Sequence, residues 1–133
     1  LEENVKILGE NKGLSNEDTL MYFKSANIFT FPSVETVEGD VDGIANVLLE
    51  AGIFKVPVVS TNAGSTGELI IDGDTGLVVP QENSELLADK IEVLLKNKEL
   101  AQNLGQGIYN RVKENFDLDK SILNLENLLT KDY

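Results

Sequence analysis

Two acidic residues, Asp42 and Glu50, carry the most specific chemical signal in the sequence. They lie eight residues apart, just over two helical turns, so on a helix their side chains share roughly the same face. One interpretation is that Asp42 only caps the helix and that Glu50 is a solvated acid. The other is that Glu50 binds a ligand, because it precedes Ala51 in an otherwise apolar stretch where a carboxylate needs a partner. A sugar diol is one candidate partner.

The residues between the two acids offer a second kind of contact. Apolar side chains recur at intervals of three and four residues over 44–51, which predicts a helix that begins near Gly43. The backbone N–H groups near Ala45, Asn46 and Val47 would lack partners within that helix. Such amides, together with the helix dipole, bind a phosphate group without needing a lysine.

The residue types that the chain lacks narrow the chemistry further. The sequence contains no Cys and no His. A cysteine nucleophile, a thiolate metal site, a Ser-His-Asp triad and most zinc sites are therefore excluded. Carboxylates, backbone amides, hydroxyls and lysines remain as the groups that could act.

Two loops rich in small residues are further candidates for ligand contact. Ser60–Glu68 follows an apolar run, and its small residues let a backbone approach a ligand closely, although an ordinary turn between a strand and a helix fits equally well. It matches neither the Walker A pattern nor G-x-G-x-x-G. Asp72–Gly76 contains Asp-Gly between apolar runs, which predicts a hairpin turn with a structural role.

Short apolar runs and helical patterns alternate along the chain. Strands are predicted at Val5–Leu8, Ile28–Phe31, Pro57–Ser60 and Leu77–Val79. Helices are predicted after Ser15, from near Gly43, after Asn83 or Ser84, over 100–112 and after Asp117. This order predicts an α/β fold, a Rossmann-like parallel sheet with flanking helices, in which ligands bind beyond the carboxyl ends of the strands.

Glycines interrupt the predicted helix over 100–112. Gly105 and Gly107 lie inside its apolar stripe and are expected to weaken it by about 1 kcal/mol each relative to Ala.

Composition limits the class of protein. The 133 residues are one domain's worth of chain, and 11 Lys and Arg against 23 Asp and Glu give a net charge of −12. Nucleic acid and anionic membrane surfaces are therefore poor partners for this chain alone, because their phosphates would be repelled. No apolar run approaches the roughly 18 residues of a membrane span. We expect an acidic cytoplasmic protein.

Five motifs in order resemble those of the retaining GT-B glycosyltransferases (glycosyl transferases group 1, family 4-like). Asp42–Ala51 with Pro57–Thr61 is similar to that family's E-x7-E block and the strand after it. The other matching segments are Val5–Gly9 (V-x-F-L-G), Phe31–Ser33 (the strand end before the block), Gly64–Ile70 (G-G-x-x-E-L-I) and Asp72–Pro80 (D-G-x-T-G-L-L-V-P).

The resemblance implies that residues 1–133 are a single domain, the C-terminal portion of a domain that binds a nucleotide-sugar donor. Asp42 would be the catalytic residue near the transferred sugar, and Glu50 would bind the ribose hydroxyls. The remaining donor-binding residues it implies are Gly43, Ile44, Ala45, Asn46, Val47, Leu8 and Gly9. The backbone amides near Asn46 and Val47 would hold the diphosphate, and Leu8 and Gly9 would lie near the base. No metal and no cofactor are required, and the anomeric configuration is retained.

Three residues depart from the family pattern. Asp42 stands in place of Glu and is one methylene shorter, and Ser65 replaces the second Gly of its motif, which restricts that turn. Lys55 occupies a position where the family has Gly, and it costs about 1 kcal/mol there if the backbone is left-handed.

The resemblance also implies parts that the chain does not contain. These are an N-terminal acceptor-binding domain, for a glycan or lipid-linked acceptor, and the first two strands of the donor domain with their Arg/Lys pair. Val5–Leu8 would then lack its neighbours, so we expect pairing with a second copy of the chain or an altered strand pairing. We expect no activity from the chain alone, and a cytoplasmic protein with peripheral contact to the inner membrane through the missing domain.

Two other classes remain open at this point. One is another GT-B enzyme, such as a nucleotide-sugar epimerase or a phosphorylase-like protein. These enzymes use His or a Lys-bound cofactor, and this chain has no such residue at the corresponding positions. The other is a non-catalytic Rossmann-like module that binds a partner through its acidic helices.

Overall fold

A computed structural model describes residues 4–10, 12–36 and 46–115. Its elements in chain order are α1 (Asn16–Ser25), β1 (Phe29–Phe31), α2 (Asn46–Ile53), β2 (Val58–Thr61), a 3₁₀ helix (Gly64–Glu68), β3 (Leu77–Val79), α3 (Ser84–Lys96) and α4 (Lys98–Asn115). The last predicted helix, after Asp117, lies outside the described residues.

The three strands form one parallel sheet in the order β1-β2-β3. Phe31 pairs with Ser60, and Thr61 pairs with Val79, so the three strands end at one edge of the sheet. Each strand begins within one residue of its predicted start. The predicted α/β fold with a Rossmann-like parallel sheet and flanking helices is confirmed.

The prediction of a strand at Val5–Leu8 is wrong for the described part of the chain. The segment belongs to no strand, and the side chains of Val5 and Ile7 are 65% and 72% exposed. No described strand lies beside it to accept and donate the backbone hydrogen bonds of a ladder, so its apolar, β-branched residues remain an extended run. Pairing with a second copy of the chain stays a prediction.

Helices cover both faces of the sheet. Val58 of β2 packs in a cluster with Leu48 of α2 and Ile108 of α4, whereas Val59 packs with Leu94 of α3. Successive strand residues point to opposite faces, so α2 and α3 lie on opposite sides of the sheet. The predicted stripe of α4 is confirmed, because its side chains at 104, 108 and 112 are all buried.

Polar side chains cap the N-termini of α1 and α3, as the sequence predicts. Ser15 Oγ accepts a hydrogen bond from the Asp18 amide, and Asn83 Oδ1 accepts one from the Leu86 amide at 3.0 Å. Asn83, rather than Ser84, is therefore the N-cap of α3.

The Asp72–Gly76 segment forms a turn, but the predicted hairpin is wrong. β3 runs parallel to β2, and Asp72 and Gly76 form an isolated parallel bridge. Thr75 is buried and stabilises the turn, because its Oγ1 donates to the Leu69 carbonyl and accepts from the Ile71 amide, both at 2.7 Å. A turn sequence alone does not report the direction of the strands that it joins.

Gly105 and Gly107 have a packing role that helix propensity does not reveal. A Cβ at Gly105 would come within 3.0 Å of the Lys55 carbonyl oxygen, and one at Gly107 equally close to the Asp74 carbonyl oxygen. Lys55 itself has a φ of 57°, so its backbone is left-handed and the condition for the cost of about 1 kcal/mol is met. The Lys55 side chain lies over the Tyr109 ring of α4, with Nζ 4.8 Å from the centroid.

We predict that Gly105→Ala and Gly107→Ala each destabilise the protein by about 1–3 kcal/mol, although Ala is the better helix former. The added methyl group meets a backbone oxygen that cannot move aside. Urea unfolding measures the change in the free energy of unfolding, provided that the variants and the wild type have the same m-value. Gly67→Ala is the control, because a Cβ there meets nothing within 4 Å. Unchanged stability of both α4 variants would contradict the close packing.

Candidate functional site

Glu50 is held in a half-buried position on α2. Its neighbours Leu48 and Ala51 are completely buried, and no described residue makes an ion pair or hydrogen bond with its carboxylate. Desolvation by burial raises the pKa of the Glu50 carboxyl above its ordinary value. Glu50 is therefore not simply a solvated surface acid. A carboxylate in this environment gains from a ligand that donates hydrogen bonds to it.

α2 begins at two of the residues whose backbone amides are predicted to bind phosphate, and that role stays a prediction. Asn46 is the first residue of α2 and is exposed, and Val47 is half-buried. Glu50 follows Asn46 by about one helical turn, so the structure places these three residues on one short helical segment. Asp42, Gly43, Ile44 and Ala45 lie outside the described residues, and their predicted roles stay predictions.

Leu8 lies in a segment without regular secondary structure and Gly9 in a turn, so neither is at a strand end. Leu8 is half-buried, and Gly9 has a φ of 74° in a turn closed by the Gly13 amide, which donates to the Gly9 carbonyl at 3.0 Å. No hydrogen bond among the described residues joins either of them to α2. Their predicted position beside the base of the donor stays a prediction.

The loop after β2 is a compact 3₁₀ helix rather than an open ligand loop. Thr66 is buried, and its Oγ1 donates to the Ala63 carbonyl at 2.7 Å. Arg111 of α4 donates from Nε to the Glu68 carbonyl at 2.8 Å. Ser65 does not have a positive φ, so the expected restriction from replacing Gly there does not arise.

One polar group beneath this edge of the sheet has no partner. Ser60 is completely buried in β2, and its Oγ makes no hydrogen bond with any residue that the structure describes. It faces the same side of the sheet as Val58, which is the side that α2 covers. No residue pattern indicates this burial, because Ser60 resembles the ordinary polar end of an apolar strand.

The segment that follows β1 makes contacts that the sequence analysis missed. Thr61 donates from Oγ1 to the Ser33 carbonyl, and Glu35 accepts a hydrogen bond at Oε1 from the Gly64 amide at 2.7 Å. The Glu35 amide in turn donates to Gln81 Oε1 at 2.8 Å. No residue pattern could have found this, because Glu35 is an exposed acid in an acidic loop.

A pocket of about 280 Å³ lies at the same edge, on the α3 side of the sheet. Its walls come from Pro32 and Val34 after β1, from Thr61 and Val79, and from the first turn of α3. Because α2 covers the opposite face, this pocket is separate from the half-buried carboxylate of Glu50.

The described ranges 4–10, 12–36 and 46–115 contain no group of three or more acidic side chains arranged to hold a metal ion. None of their helices combines the length and apolar character that crossing a membrane requires.

The parallel sheet, its helices on both faces and the half-buried acid on α2 define a Rossmann-like fragment of the GT-B kind. Residues 1–111 match the family model described as glycosyl transferases group 1, and the chain belongs to that family. The structure is similar to that of sucrose-phosphate synthase from Thermosynechococcus elongatus, with a TM-score of 0.70 and 26% identity over 90% of this chain and 28% of that one.

Curated relatives agree with this membership. The chain is 29% identical over 99 residues to the capsular polysaccharide biosynthesis glycosyltransferase CapM of Staphylococcus aureus, covering 74% of this chain and 24% of CapM. It is 31% identical over 94 residues to a GDP-mannose-dependent α-(1-6)-phosphatidylinositol monomannoside mannosyltransferase of Mycobacterium tuberculosis, covering 70% of this chain and 24% of that protein. The chain thus spans about a quarter of the length of these relatives.

We predict that Glu50→Gln stabilises the unliganded protein at neutral pH. Because the folded state raises the pKa of Glu50, it binds that proton more tightly than the unfolded chain does. The ionised form therefore costs stability once the pH rises above the unfolded pKa, about 4.3 for Glu. The gain from Glu50→Gln should disappear as the pH falls below that value, in urea titrations across pH 3.5–7.5. An identical gain at every pH would contradict the desolvation.

Proposed function

We propose that the full-length polypeptide carrying this chain is a glycosyltransferase. It would move a sugar from a nucleotide-sugar donor to a glycan or lipid-linked acceptor with retention of the anomeric configuration. The chain would supply part of the donor site within the C-terminal domain. The observation that carries the proposal is the half-buried, desolvated carboxylate of Glu50 on α2, within the family's acidic block.

Glu50 would bind the ribose of the donor. A carboxylate has two oxygens, and each can accept a hydrogen bond from one of two adjacent hydroxyls. Hydrogen bonds to a charged acceptor are stronger than neutral ones, and more so where water is partly excluded. A ribose diol would thus offset the desolvation that burial imposes on Glu50.

The start of α2 would hold the diphosphate. The amides of Asn46 and Val47, with Gly43, Ile44 and Ala45 before them, would face the phosphate oxygens without a metal or a cofactor. Negative charge accumulates on the diphosphate as the bond to the sugar breaks, and prearranged amides stabilise that charge. Asp42 would act beside the transferred sugar, and Leu8 and Gly9 beside the base.

The names of the relatives support a nucleotide sugar as the donor and a role in the biosynthesis of a polysaccharide or a glycolipid. One relative is named for dependence on GDP-mannose and for a phosphatidylinositol mannoside, and another for capsular polysaccharide biosynthesis. A cytoplasmic location with peripheral contact to the inner membrane through the other domain agrees with acceptors of these kinds.

We predict that Glu50→Gln weakens donor binding by about 10- to 100-fold, the equivalent of one or two charge-assisted hydrogen bonds. Calorimetric titration of the full-length protein with UDP, GDP and ADP sugars identifies the donor and then measures the loss. Glu92→Ala is the matched control, since Glu92 is an exposed acid on α3 paired with Lys96. If the Glu50→Gln variant binds the donor as tightly as the wild type does, Glu50 does not contact the donor.

The same titrations separate the other classes of protein. Heat with none of the three sugars would favour a non-catalytic binding module. Interconversion of the donor sugar without transfer would favour an epimerase.

We further predict that the 133-residue chain alone transfers no sugar, since the reaction needs a cleft between two domains. A radiolabelled-donor assay with and without acceptor is the measurement. Turnover by the isolated chain would show that its own residues suffice for catalysis.

A further inference from the structure

Glu35 connects the segments that follow all three strands. It lies four residues after the end of β1, its carboxylate accepts from Gly64 after β2, and its amide donates to Gln81 after β3. The two partners are 29 and 46 residues away along the chain.

The chemistry of the two bonds is unequal. The bond from the Gly64 amide to the Glu35 carboxylate, at 2.7 Å, is charge-assisted and stronger than a neutral bond. The bond from the Glu35 amide to Gln81 is neutral. Glu35 is exposed, so the two bonds add little to global stability in water. Their effect is on geometry, because they fix the Glu35 backbone and side chain at the same time.

A second contact restrains the same segment. Thr61, the last residue of β2, donates from Oγ1 to the Ser33 carbonyl. Residues 33–35 are thus held at both ends against the edge where an open parallel sheet binds ligands. The chain continues from this fixed segment towards Asp42, seven residues after Glu35.

We propose that Glu35 is a positioning residue of the transferase, which fixes the segment after β1 against Gly64 and Gln81 so that the donor edge is rigid before the substrate arrives. The inference rests on the proposed function for its catalytic consequence. Displacements of about 1 Å in a positioning element can cost a reaction up to about a hundredfold in rate. Glu35 itself contacts no reacting atom in this proposal.

The test compares Glu35→Ala, Glu35→Gln and Gln81→Ala in the full-length protein. Glu35→Ala removes the acceptor for the Gly64 amide, whereas Glu35→Gln keeps an acceptor oxygen at nearly the same place. Glu92→Ala again controls for the loss of one surface acid. Hydrogen exchange of the peptide containing Gly64 reports the contact, and kcat at saturating donor, the donor KM and Tm report its consequence.

We expect Glu35→Ala to speed exchange at Gly64 at least tenfold and to lower kcat about tenfold, with Tm within a few degrees of wild type. Glu35→Gln should restore most of both. Gln81→Ala should lower kcat less, because the bond it removes is neutral.

Unchanged exchange in Glu35→Ala, or faster exchange with a wild-type kcat, would overturn the inference. A Glu35→Gln variant that restores slow exchange at Gly64 but not kcat would do the same, since the contact would then not set the rate. A wild-type protein that transfers no sugar, yet shows the exchange response, would instead contradict the proposed function and leave the contact itself established.

Discussion

Burial of β2 on both faces is the constraint on which the rest of the structure depends. Val58 and Val59 are completely buried on opposite sides, the first against α2 and α4, the second against α3. A middle strand with no solvent-facing side has one register that satisfies both faces, because a slip of one residue exchanges them. That register brings Phe31, Thr61 and Val79 to one edge of the sheet. The contacts among Ser33, Glu35, Gly64 and Gln81 all start from this alignment.

The sequence predicts those elements whose stability depends on local patterns of apolar residues. β2 and β3 are apolar runs rich in Val, and α4 carries a stripe whose burial follows the period of a helix. Two predictions failed because they concerned partners that local patterns do not describe. Val5–Leu8 has the residues of a strand but no described neighbour, and Asp72–Gly76 has the residues of a hairpin turn but connects to a strand that runs parallel to β2.

The candidate site divides in the same way. The half-burial of Glu50 follows from its apolar neighbours on a predicted helix, and the sequence was enough to single it out. Glu35 could not be found, because its partners are distant along the chain and an exposed glutamate in an acidic loop has no distinguishing pattern. The sequence does not reveal the buried hydroxyl of Ser60 either, because the way the helices cover the sheet determines its environment.

The two glycine contacts of α4 have a mechanical consequence. Gly105 and Gly107 are two residues apart, about 200° around the helix axis, so they flank the stripe formed by Leu104 and Ile108. The carbonyl oxygens of Lys55 and Asp74 therefore pack closely against the helix backbone from two sides. A helix held in this way can neither roll about its axis nor slide along it without a steric clash. α4 and the sheet therefore move together as one rigid body.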